Sequence, residues 1–322
     1  MRALLLAWAL ALAACVQTQD PPTPEQWRNI AIEAEAVELG ADTIGALRFR
    51  GGLVLRGDRQ AGFGGWSGLE VMEDGRILAV SDDGKWLAAR LVLDEAGALV
   101  GVADARIAFM RDESGEPFAD KDDGDAEDIA QLPDGRIAVS FEQSHTIRIY
   151  DINRDGPFGA ARAGPVLAGV QALPSNSSLE AMASDGAGNL VVGAEDAGLI
   201  WRAPIGAQAP VVSNEHYTLQ FGFALTGLDR LADGDYVAVE RFYAPAVGAQ
   251  TRITRMAARS VSGEAVVSEL ALLRPPLAVD NFEGIAVARA PDGGVRLYIL
   301  SDDNFSDRQR TLLYAFDVVG GS

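Results

Sequence analysis

The stretch SGLEVMEDGRILAVSDD (67–83) decides the fold of this chain. It reads as an acid, an apolar run, a glycine-containing turn, a second apolar run and a closing acid. The same grammar returns in DAEDIAQLPDGRIAVSFE (125–142), SLEAMASDGAGNLVVGAED (178–196), TGLDRLADGDYVAVE (226–240) and NFEGIAVARAPDGGVRLYILSDD (281–303). The leading acids Glu70, Glu127, Glu180, Asp229 and Glu283 stand 57, 53, 49 and 54 positions apart. Each copy is a hairpin, because glycine supplies the positive φ of a tight turn between two short apolar runs. A period near fifty with a hairpin in every unit predicts a β-propeller.

Further strands follow each hairpin: WLAARLVL (86–93) and ARIAFM (105–110), then TIRIYDI (146–152), GLIWRAPI (198–205), RITRMAA (252–258) and TLLYAFDV (311–318). The reading is all-β, with four-stranded blades and five of them. The fifth unit runs out of chain after its third strand. An N-terminal strand, from NIAIEAEAVEL (29–39) or ALRFRGGLVL (46–55), is expected to complete it and close the ring, which removes open sheet edges. A sixth, degenerate blade hidden in the N-terminal hairpin and the 203–224 connection is the alternative.

The first residues carry a different signal. Met1 and Arg2 precede an apolar stretch, 3–14, too short to span a bilayer as a mature helix. It ends in LAAC (12–15), which resembles a bacterial lipobox and implies cleavage before Cys15 with lipid on its thiol. Val16 after the cysteine favours the outer membrane by analogy with enteric bacteria. The expected organisation is a signal peptide at 1–14, a Pro-rich tether at 15–28 and a single propeller domain at 29–319, facing the periplasm as a monomer. Cys15 is the only cysteine, so no intrachain disulfide is available. The net charge of −19 argues against nucleic acid as a partner and against an anionic membrane surface beyond the lipid anchor.

In a propeller the first strand of each blade lines the central channel. The start of that strand and the end of the second are expected on one face. That places Glu70 with Asp82 and Asp83, Glu127 with Glu142, Glu180 with Glu195 and Asp196, Asp229 with Glu240, and Glu283 with Asp302 and Asp303 around one mouth. Crowded carboxylates raise one another's pKa or recruit a cation. Hard oxygen donors favour Ca²⁺ or Mg²⁺, and two histidines in the whole chain exclude a His-rich metal site. The expected ligands are Glu70, Asp82, Glu127, Glu180, Asp229, Glu283 and Asp302, with the shorter arm of Asp229 standing back from the ion. Acids at strand ends also cap turns or pair with arginine, and an ion in the channel can be purely structural.

The stretches GGWSGLE (64–70), LAVSDDGKWLAARL (78–91), DAEDIAQLPDGRIAVSFEQSHTIRIY (125–150), SLEAMA (178–183), LADGDYVAVERFYAP (231–245), DNFEGIAV (280–287) and SDDNFSDRQRTLL (301–313) resemble, in order and in register, the bacterial family named for esterase-like activity of phytase. The resemblance implies a propeller and metal-dependent hydrolysis of a small anionic ester or phosphoester. The chain lacks the dense Lys/Arg cluster of true phytases, which argues against inositol hexakisphosphate. Glu127 and Glu283 are the candidate proton acceptors. His145 in FEQSH is either a loop histidine or a proton-transfer group. Arg241, after Glu240, is either an ion-pair partner or an anion-binding fork, as are Lys85, Arg308 and Arg310. Ser67 lacks the G-x-S-x-G setting of a nucleophile. The other class open to this sequence is a Ca²⁺-stabilised binding or scaffold module without chemistry.

Overall fold

The computed structural model describes residues 27–319. The expected signal segment, Cys15 and nearly all of the tether lie outside the described residues. Blade 1 runs outward through Trp66–Val71, Arg76–Ser81, Lys85–Leu93 and Leu99–Phe109, and Arg28–Asn29 adds a short outer strand. Blade 2 uses Ala126–Gln131, Ile137–Phe141, Thr146–Tyr150 and Arg162–Ala163. Blade 3 uses Ala181–Ser184, Asn189–Gly193, Leu199–Pro204 and Glu215–His216. Blade 4 uses Ala224–Arg230, Tyr236–Ala244, Gly248–Met256 and Val267–Leu273.

Blade 5 combines strands from both ends of the described residues. Phe282–Arg289, Val295–Ser301 and Thr311–Val318 are followed in space by Leu47–Gly57 and then Ile32–Ala36. Thr311 pairs with Leu55 and Val318 with Leu47, so the N-terminal strand closes the ring as the fourth strand. Both N-terminal candidates are used, one as the closing strand and one outside it. The ring has five blades. The 203–224 connection supplies the last strand of blade 3 and a two-residue strand, Val211–Val212, parallel to Leu167–Ala168. No residues are left there for a sixth blade.

Apolar alternation along the strands buries its side chains between blades rather than in one central core. Five clusters of buried apolar residues fill the five seams. Trp66, Leu69 and Leu87 of blade 1, for example, meet Leu53, Leu300 and Leu313 of blade 5. Trp86 and Val80 meet Ile129 and Phe141 at the next seam.

Near the axis the inner strands crowd one another. A Cβ built on Gly284 would lie 2.5 Å from the Ser67 carbonyl oxygen, and one on Gly68 would lie 2.8 Å from that of Glu127. These positions stand next to β-bulges that break the inner ladder of their blades. The colliding atoms are backbone, which cannot swing away. Gly284→Ala is therefore expected to lower the unfolding free energy by about 2 kcal/mol, the size typical of an overpacked site. Urea unfolding measures it, and an unchanged midpoint would show that the inner strands can separate.

Candidate functional site

Register sorts the acids of the repeat into two levels. At the end of the second strand, the Asp82 N–H donates to the Gly65 carbonyl (2.9 Å), Glu142 to Asp125 (2.9 Å), Glu195 to Ser178 (2.9 Å) and Asp302 to Asn281 (3.0 Å). Asp82, Glu142, Glu195 and Asp302 thus hold equivalent rim positions in four blades. In blade 4 the equivalent pairing is Ala224 with Arg241, so a guanidinium takes the fifth place. Just inside this rim stand Glu127, Glu180 and Glu283, with Ser67 and Thr226 in the corresponding places of blades 1 and 4.

Glu70 and Asp229 do not share this mouth, contrary to the sequence expectation. They pair with Leu78 and Val237, three residues further along the inner strand toward the hairpin turns. There Glu70 accepts from the Gln131 N–H (2.9 Å), and Asp229 from those of Val287 (2.6 Å) and Arg230 (2.6 Å). Both ends face a cavity of about 500 Å³ on the turn side, lined also by Gln131 and Arg230. The spacing carried this signal. Glu127 and Glu180 each precede their rim partner by 15 positions, but Glu70 precedes Asp82 by only 12. A leading acid closer to its turn sits deeper in the channel. Glu240 departs too. Side chains alternate across a strand, so it faces away from Arg241 and accepts from the Tyr217 hydroxyl (2.6 Å) and Arg252 (2.8 Å), fully buried within blade 4.

Between the two levels lies Asp128, which the sequence reading passed over. It is 1% exposed. One oxygen accepts from the N–H groups of Met182 (2.7 Å) and Leu228 (3.2 Å), and the other from its neighbour Ile129 (2.8 Å). It ties the inner strands of three blades together.

At the mouth, Arg241 and Lys121 face the rim carboxylates. Arg241 lies 2.9 Å from Glu195, 3.4 Å from Glu283 and 3.9 Å from Glu180, and donates to Asn281 at 3.5 Å. Burial would lower its pKa, but the charges of Glu283, Glu180 and Glu195 outweigh that and raise it, so it stays charged. Lys121, from the short helix Lys121–Gly124, lies 2.6 Å from Asp82 and 3.1 Å from Asp125. Asp125, Lys121 and Asn281 were missed. Asp125 was legible, since it precedes Glu127 by two and so falls on the same face of the strand. Of the other expected cations, Lys85 pairs with Asp83, Arg310 pairs with Asp280 (3.2 Å), and Arg308 is on an exposed loop. His145 sits at the rim with φ 49°, its Nδ1 2.8 Å from the Ser178 hydroxyl, and burial lowers its pKa.

Burial dominates the electrostatics. It pushes Glu127 and Glu180 well above the usual carboxylate range, reinforced by neighbouring acids. Asp302 rises in the same way, next to Glu283 and Asp82. Glu142 is pushed up to about 7 by burial and by the charges of Asp125 and Glu195. In Glu283 the rise is partly offset by Arg241.

Among the described residues two groups of carboxylates could hold a metal ion, Asp125–Glu127–Glu142 and Glu142–Glu180–Glu195, each with ligand oxygens within 4.8 Å of one another. Oxygens 2.3–2.6 Å from a Ca²⁺ lie at most about 5 Å apart, so the spacing fits. Glu142 Oε1 and Asp82 Oδ1 are buried with no hydrogen-bond partner, an unmet demand that a cation would satisfy.

The family described as phytase-like, esterase-like activity of phytase, matches residues 61–305, about three quarters of the chain. This chain belongs to the phytase-like family. Solved structures resemble this phytase-like propeller at a distance. One described as a gluconolactonase is 15% identical with a TM-score of 0.42, covering 94% of this chain and 96% of its own. A luciferin-regenerating enzyme is 11% identical with a TM-score of 0.40, covering 81% and 94%. The PQQ-bound aldose sugar dehydrogenase of Streptomyces coelicolor is 14% identical with a TM-score of 0.39, covering 92% and 100%. Nothing about the chemistry of this phytase-like chain follows from likenesses that distant. No curated protein matches it.

A larger cavity, about 810 Å³, lies at the outer seam of blades 1 and 2, away from the acidic mouth. Its arginines are answered locally, Arg76 by Asp74, Arg90 by Asp104 and Arg106 by the Trp27 ring. The buried carboxylate oxygens without a hydrogen-bond partner, on Glu142 and Asp82, lie at the mouth and not at this seam.

On the turn side, burial pushes Asp229 up to about 6. An acid whose pKa rises on folding binds more protons in the folded state. Its contribution to stability is therefore full at low pH and is lost as pH rises from the ordinary aspartate range through about 6. Melting scans from pH 3.5 to 7 are expected to show stability falling through that window. The slope should be shallower in Asp229→Asn, and equal slopes would place the charge elsewhere.

Proposed function

We propose that the acidic mouth binds a divalent cation, Ca²⁺ before Mg²⁺, and hydrolyses small anionic esters or phosphoesters there. The observation that carries this reading is Glu142. It is 6% exposed, belongs to both candidate ligand groups and keeps one oxygen without a partner. Membership of the phytase-like family supports the reaction class. A bound divalent ion would supply Lewis acidity at the carbonyl or phosphoryl oxygen.

The residues of the chain supply the rest. An anionic substrate approaching a chain of net charge −19 needs local positive charge. Arg241, already paired with Glu195 and Glu283, offers fixed positive charge, and Lys121 a mobile ammonium for the anionic group. Asp125, Glu127 and Glu142 would hold the ion. Glu283, bonded to the Asn281 amide at 2.8 Å, is oriented to accept a proton from an attacking water. His145, fixed through Nδ1 to Ser178, is the rim group we assign to the leaving group. Export and lipid attachment at Cys15 would place this chemistry on the envelope.

Purified protein stripped with chelator and then given Ca²⁺ is expected to melt several degrees higher, since ligand at a hundred times its Kd adds about 2.7 kcal/mol. The same protein should turn over p-nitrophenyl acetate or p-nitrophenyl phosphate with Ca²⁺ and lose that turnover in chelator. Glu142→Gln should lose both the thermal shift and the turnover. No shift with either ion overturns the metal reading. A shift without turnover on any ester assigns a binding module instead.

A further inference from the structure

We propose that Arg241 is a built-in counter-cation that holds the mouth to one divalent ion, seated on Asp125, Glu127 and Glu142. This rests on the metal reading above and concerns how many ions that mouth accepts.

The two candidate ligand groups share Glu142 but differ in what already faces them. In the group Glu142–Glu180–Glu195, two of the three carboxylates face Arg241, Glu195 at 2.9 Å and Glu180 at 3.9 Å. An ion there would lie against a guanidinium that Glu283 and Asn281 also hold. Arg241 comes from the paired strand Tyr236–Ala244, with neighbours on both sides. It cannot withdraw without breaking ion pairs in a buried setting. In the group Asp125–Glu127–Glu142, the cation in direct contact among the described residues is Lys121, which touches Asp125 and Asp82, while Arg241 acts on Glu127 only through its field. The Lys121 side chain is 53% exposed and that of Arg241 is 32% exposed. The lysine can retire into solvent at little cost when an ion arrives.

The rim equivalence makes the same point. Four blades place a carboxylate at the end of the second strand, and the blade 4 position carries Arg241. The guanidinium stands where five-fold repetition would have put another ligand, and its charge discharges the half of the mouth that the ion does not use. Glu142, more than nine-tenths buried with Oε1 unpartnered, is shared by both groups, so the guanidinium facing Glu180 and Glu195 is what separates them.

The test counts ions on the full-length, chelator-stripped protein, by Ca²⁺ titration calorimetry and by elemental analysis after dialysis, with circular dichroism as the folding control. The wild type is expected to bind one Ca²⁺ at the mouth, Arg241→Gln two, and Arg241→Lys one. The double variant Arg241→Gln/Glu195→Gln should return to one, because it loses a ligand of the second group. If Arg241→Gln folds only with Ca²⁺ present, elemental analysis of the refolded protein gives the same count. One ion in folded Arg241→Gln, two in the wild type, or two in the double variant overturns the proposal. No ion in the wild type overturns the metal reading itself, a result distinct from the others.

Discussion

Five inner strands converging on one axis leave almost no volume between their backbones, and the rest of the molecule is arranged around that crowding. Where the strands come closest, glycine is required, as at Gly68 and Gly284. Inner strands also have one edge with no neighbouring strand, so their N–H groups there need other acceptors. Glu70, Asp128 and Asp229 provide them, each reaching to the backbone of another blade. The channel is thus closed by carboxylate–amide bonds rather than by apolar side chains. Its burial then raises the pKa of the acids inside it.

The mouth is the other consequence of convergence. Strand ends that would be far apart in an open sheet are gathered around a small opening, so acids from every blade but the fourth meet there. Self-repulsion of that kind must be met by protons, cations or both. Arg241 and Lys121 meet part of it. What remains is concentrated around Glu142, which is why a cation site is argued from that residue and not from the ring as a whole.

The fold was legible in the repeat because hairpin turns and strand alternation are local, and the closing strand followed from the fifth unit being one strand short. The height of each acid was not read correctly. Distance from the turn, not order within a copy, sets height in the channel, and this puts Glu70 and Asp229 at the far end. Glu240 was misplaced because an acid at a strand end was assigned to the rim without asking which way the pleat turned it. Arg241 pairs with Ala224 at the rim end of blade 4. Its partners Glu195, Glu283 and Asn281 belong to blades 3 and 5, and no local pattern encodes a contact made only when the ring is closed. Asp125 could have been found from its two-residue spacing. Lys121 comes from a short connecting helix whose position depends on packing against blade 1.

The closing strand has a meaning for how the molecule is made. Leu55 pairs with Thr311, 256 positions later. A chain synthesised from its N-terminus produces Leu47–Gly57 first and must then wait about 250 residues before the partner strand exists. Throughout that interval two alternating apolar strands have open edges, the state most prone to pairing with another chain. The four earlier blades can each form from contiguous sequence, but the last seam cannot, so assembly ends with a single long-range step. Until Thr311–Val318 is made that step cannot occur, so closure of the ring depends on a strand made long after its partner.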